Sequence, residues 1–105
     1  MSTTRKGTIL VVDDEEIMRE ILETLLVREG YEVRLASSGL EGLELARALP
    51  FDAAIVDIMM PGLNGIEALE ELKRIDEDLA VIIITAYGSI ESAISAMKKI
   101  GRAHV

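Results

Sequence analysis

Residues 53–65 read AAIVDIMMPGLNG, and this stretch decides the fold. Its first five residues are an apolar run ending in an acid, after which Pro61, Gly62 and Gly65 favour turns. A run that is apolar on consecutive positions, rather than on alternate ones, reads as a strand buried on both faces. Such a strand needs helices above and below it, and the flanking sequence supplies them. On one side Ser38 and Glu41 are spaced as a capping box for a helix carrying Leu40, Leu43, Leu45 and Leu49, closed by Pro50. On the other, Asn64 stands three residues before Glu67 and opens a helix carrying Ile66, Leu69, Leu72 and Ile75.

The same alternation continues outward. Residues 8–12, TILVV, form a β-branched run followed directly by DDEE. Ile17, Ile21 and Leu25, with Met18, Leu22 and Leu26 beside them, then recur at helical spacing as far as Gly30. Tyr31 to Leu35 alternate as a second strand, and residues 80–85, AVIIIT, make the most apolar strand of the chain. The loop AYGS leads from there to a helix over about Ser89 to Lys99. Four strands separated by helices predict a parallel, doubly wound α/β sheet.

Length and composition bound the function. With 105 residues there is room for one domain, here placed at 8–105 after a polar tail at 1–7. Half the residues are apolar but only 3% are aromatic, so the core must be aliphatic. A net charge of −8 argues against a nonspecific grip on nucleic acid or anionic lipid, which needs clustered Lys and Arg. The absence of cysteine removes disulfides and thiolate metal sites. MSTTRKGT has no apolar signal core, and no apolar run is long enough to span a bilayer. A soluble cytoplasmic protein is expected.

In doubly wound sheets, sites form beyond the carboxyl ends of the strands. The first strand ends in Asp13 and Asp14, the third in Asp57 and the fourth in Thr85. Each has an ordinary explanation alone: acids favour helix starts, an aspartate favours turns, and threonine is a common strand residue. Their joint placement is what argues for a site. Crowded carboxylates raise one another's pKa unless a cation compensates, and a hard divalent ion such as Mg²⁺ suits oxygen ligands. With the cluster neutralised, one carboxylate is free to attack an anionic phosphoryl group. Met59 and Met60 read as packing residues, Tyr87 as either rim or exposed loop, and the lone His104 as incidental.

The segments ILVVDDEE, AAIVDIMMPGLNGIE and VIIITAYGSIESAISAMKK resemble the receiver domain of two-component response regulators, especially receivers of sigma-54-dependent transcriptional activators. The resemblance runs from about Thr8 to Lys99. It implies a flavodoxin-like sheet of order 2-1-3-4-5, with Asp57 as phosphoacceptor and Asp14 as a direct Mg²⁺ ligand. It further implies that Asp13 acts largely through water, the Met59 carbonyl is another ligand, Thr85 is the switch hydroxyl, and Ala86 leaves access to it. The implied donor is a phosphohistidine on a sensor histidine kinase. The domain would assist its own phosphorylation and dephosphorylation without being a conventional enzyme.

The family pattern continues with a short fifth strand carrying an aromatic residue, then Lys-Pro and a fifth helix. Here AMKKIG is followed only by RAHV, so the fifth strand is expected to be short or absent and the fifth helix missing. Lys98 and Lys99 belong to the preceding helix and do not replace the family's lysine. A second reading follows, a signalling-impaired interaction module, and the chain is expected either to dimerise through its exposed fourth strand and fourth helix or to be a truncated stretch of a longer regulator. An aspartyl phosphatase is a third class, disfavoured because its two acids normally stand as Asp-x-Asp and these are adjacent. Direct binding of nucleic acid or membrane is not expected.

Overall fold

In the sheet, successive residues of one strand serve two different cores. The computed structural model describes residues 7–58, 60, 62 and 65–84. In it β1 (Thr8–Val12), β2 (Glu32–Ala36), β3 (Ala53–Asp57) and β4 (Ala80–Ile84) form a parallel sheet ordered β2-β1-β3-β4. The helices are α1 (Glu16–Arg28), α2 (Gly39–Ala48) and α3 (Gly65–Ile75). Ile9 and Val11 of β1 pack with Ala53 and Ile55 of β3 against Leu22 and Leu26 of α1. The intervening Leu10, Val12, Ala54 and Val56 turn to the opposite face, against Leu43 of α2 and Ala68 and Leu72 of α3. This two-sided burial is why β1 and β3 are apolar at consecutive positions. The doubly wound fold and the strand order 2-1-3-4 agree with the sequence reading. The fifth strand, the helix over 89–99 and residues 85–105 as a whole lie outside the described residues.

Two local details depart from the sequence pattern. β2 begins at Glu32, one residue later than the alternation suggests, because α1 closes with Gly30 at φ +100° and the Tyr31 N–H donates to the Leu26 carbonyl. Tyr31 is thereby spent on the helix terminus and buries its ring, while the Glu32 N–H takes up the strand pairing by donating to the Gly7 carbonyl. In α1, Leu22 and Leu26 are fully buried, but Ile17 is 71% exposed and belongs to the outer surface.

The capping box is present with one reciprocal arm displaced. Ser38 Oγ accepts from the Glu41 N–H at 3.1 Å, and Glu41 Oε1 accepts from the N–H of Ser37, the residue before the cap, at 2.5 Å. The helix ends at Ala48, with Leu49 extended ahead of Pro50 as a residue before proline prefers. Asn64 lies outside the described residues. Among the described residues no helix is long and apolar enough to cross a membrane.

Candidate functional site

The parallel register brings the acids together. Val12 of β1 is level with Val56 of β3 and with Ala36 of β2, so the next residues, Asp13 and Asp57, leave neighbouring strands side by side. Strands about 4.8 Å apart then set the spacing of whatever follows them. Asp14 starts the turn into α1 and completes the group. One carboxylate oxygen from each of Asp13, Asp14 and Asp57 lies within 4.8 Å of the others.

The three acids sit in different surroundings. Asp13 is buried, Asp57 half-buried and Asp14 exposed. The Asp13 backbone N–H donates to the Ala36 carbonyl at 3.1 Å, which carries the sheet pairing one residue beyond β1. Its Oδ1 accepts from the Glu15 N–H at 2.9 Å, a capping bond at the start of α1, where Glu15 makes no side-chain cap of its own. Burial is the main force raising the Asp13 pKa; the Glu15 N–H pulls it back, and the charges of Asp57, Asp14 and Glu15 push it further up.

Neither Asp13 nor Asp14 forms a salt bridge among the described residues. The Arg19 guanidinium comes close, but its Nη1 donates at 2.7 Å to the backbone carbonyl of Asp13 rather than to a carboxylate. Like charges 4 Å apart repel by about 1 kcal/mol in water and about 4 kcal/mol near a protein surface, so a cation held among these oxygens would relieve the repulsion. The dimensions suit one. Oxygens on opposite sides of a hard divalent ion, bonded at about 2.1–2.4 Å, stand about 4.2–4.8 Å apart.

The floor of the site is held from α3. The Gly65 N–H donates to the Ile58 carbonyl at 3.3 Å, and the Ile58 N–H donates to the Ile84 carbonyl of β4 at 3.0 Å. A groove of about 400 Å³, lined by Leu49, Phe51, Ile75 and Leu79 together with Arg47 and Asp76, opens at the other end of the strands. It is remote from the acids.

The structure therefore brings together Asp13, Asp14 and Asp57. Met59, Thr85, Ala86 and Tyr87, the other site residues named from the sequence, lie outside the described residues. Arg19 was missed by the sequence reading. Its place at the close of the first turn of α1, the helix that starts beside the acids, was the available signal.

The model for the response regulator receiver domain matches residues 9–104. The transcriptional regulatory protein ZraR of Klebsiella oxytoca is 44% identical over 90 residues, 86% of this chain and 20% of its own. This chain thus spans about a fifth of that relative. Sporulation initiation phosphotransferase F of Bacillus subtilis is 39% identical over 93 residues, covering 89% of this chain and 74% of its own. Among solved structures, the response regulator TrrA of Thermotoga maritima in complex with Mg²⁺ and BeF is 40% identical with a TM-score of 0.73, covering 85% of this chain and 77% of that one.

Proposed function

This chain belongs to the response regulator receiver family of two-component signal transduction, and from that premise we propose that it accepts a phosphoryl group on Asp57 in a Mg²⁺-dependent reaction. The observation that carries the reading is the set of three strand-end carboxylates with oxygens within 4.8 Å of one another. TrrA, which is similar over most of both chains, is described in complex with Mg²⁺ and BeF.

In the proposed reaction a carboxylate oxygen of Asp57 attacks phosphorus while the bond from phosphorus to the imidazole nitrogen of a sensor kinase phosphohistidine breaks. Asp57 suits the role because it is half-buried at the end of β3, fixed by the sheet yet open to the outside. Asp13, Asp14 and Asp57, with the Met59 carbonyl, would hold Mg²⁺. Bound there, the ion offsets the repulsion between the acids and the incoming phosphoryl oxygens. The Thr85 hydroxyl would donate a hydrogen bond to one of those oxygens. The same residues would later position water for hydrolysis of the aspartyl phosphate.

Incubation with Mg²⁺ and a small-molecule phosphodonor, followed by intact-mass measurement, tests the reading. The expected result is the gain of one phosphoryl group, abolished by EDTA and by Asp57→Asn. Saturable Mg²⁺ binding with no mass gain would instead favour the second reading of the sequence, a signalling-impaired interaction module.

A further inference from the structure

We propose that Arg19 is a positioning residue for the acidic site: by gripping the Asp13 carbonyl, it fixes the Asp13–Asp14 peptide and so the direction in which Asp14 presents its carboxylate to a divalent ion. The inference rests on the metal-binding reading above and adds to it a residue outside the family's acidic set.

Three observations converge on Arg19. The first is the bond itself, at 2.7 Å in the range of charge-assisted hydrogen bonds. The second is that this bond completes the tethering of Asp13. Its N–H is held by Ala36, its Oδ1 by Glu15 and its carbonyl by Arg19, so neither of the peptide groups that Asp13 joins through these atoms can turn without breaking a bond. Oδ2 alone is left without a hydrogen-bond donor among the described residues, and is available to the cluster. Asp14 hangs from the peptide that Arg19 holds, and as an exposed side chain it has no burial to fix it.

The third is electrostatic. Arg19 closes the first turn of α1 and reaches back toward the helix N-terminus, the positive end of the dipole, where a cation is disfavoured. The negative charge of Asp13, Asp14, Glu15 and Glu16 offsets that cost. Since Arg19 meets a carbonyl and not a carboxylate, it steadies the turn without occupying an oxygen that a metal ion would use.

The test compares Arg19→Met, which removes charge and donor, with Arg19→Lys, which keeps both on a single-point donor. Mn²⁺ is titrated into the full chain and free ion followed by electron paramagnetic resonance. Positioning predicts a Kd raised at least about fivefold in Arg19→Met and restored to within about twofold in Arg19→Lys. In metal-free protein, the ¹⁵N order parameter of the Asp14 amide should fall in Arg19→Met and recover in Arg19→Lys. A Kd unchanged or lowered in Arg19→Met overturns the proposal: an unchanged value with a lower Tm marks a purely structural residue, and a lowered value marks a cation that merely repelled the ion. Failure of wild type to bind Mn²⁺ at all would overturn both this inference and the metal reading beneath it. Wild-type binding lost in Asp14→Asn but indifferent to Arg19→Met would overturn the inference alone.

Discussion

Gly65 packs so closely on the strand end that a methyl group on its Cα would lie 2.7 Å from the Asp57 carbonyl oxygen and 2.5 Å from the Ile58 Cα. Both neighbours are backbone, which cannot swing aside as a side chain can. Gly65→Ala is therefore expected to destabilise the fold by about 1–3 kcal/mol in urea unfolding, the usual cost of overpacking. It should also weaken Mn²⁺ binding in the folded protein, because relief requires the Asp57–Ile58 segment to move. Gly62→Ala, where a Cβ meets nothing within 4 Å but φ is +77°, should lower stability while leaving ion affinity close to wild type.

The raised pKa of Asp13 makes metal-free stability depend on pH in a definite direction. In the unfolded chain the carboxyl loses its proton near 3.8, whereas the folded protein, chiefly through burial, holds the proton to higher pH. Between those two values the native state carries more protons, so Asp13's contribution to stability falls as pH rises through the window. Urea midpoints measured in EDTA should show that loss, and Asp13→Asn should remove it. Adding Mg²⁺ above the window should stabilise wild type more than Asp13→Asn, since the ion binds the ionised, folded form.

Two isoleucine and leucine positions of α1 separate pattern from packing. Leu22 is fully buried beneath the helix, and Leu22→Ala should cost about 2–5 kcal/mol. Ile17, 71% exposed, should tolerate Ile17→Ala within about 0.5 kcal/mol. Chemical denaturation of the two variants checks both values.

These residues also show what could be read before the structure. Consecutive apolar positions in β1 and β3 identify strands covered on both sides, and an acid directly after each is enough to bring Asp13 and Asp57 to one edge, because parallel pairing preserves order along the strands. Helical spacing marks α1 but does not choose its buried side: Ile17, Met18, Ile21 and Leu22 are all apolar, and only packing against β1 and β3 selects Leu22 and Leu26. The start of β2 was misplaced by one residue because Tyr31 donates to the helix terminus, a choice made by chain geometry and invisible to alternation. The unequal burial of Asp13 and Asp14 is hidden in the sequence, where they are identical neighbours. So is Arg19's bond to a backbone carbonyl, which follows from the shape of a turn and not from any pairing of residue types.

That unequal burial separates stability from binding at adjacent positions. Asp14 is exposed, makes no hydrogen bond to a described residue and contributes a carboxylate oxygen to the cluster, so its charge is unneeded by the fold. Asp14→Asn should shift the urea midpoint little, within about 0.5 kcal/mol, as expected for a surface substitution. The same change removes one of three anionic ligands, and affinity for hard cations follows ligand charge, so Mn²⁺ affinity should fall by at least about tenfold. Asp13→Asn should alter both quantities, because it removes an anionic ligand and also a buried charge that costs the metal-free fold stability, while the amide oxygen can still accept from the Glu15 N–H. A urea midpoint that shifts as far in Asp14→Asn as in Asp13→Asn would show that Asp14 is part of the turn's framework, and undiminished Mn²⁺ binding in Asp14→Asn would remove it from the ion site.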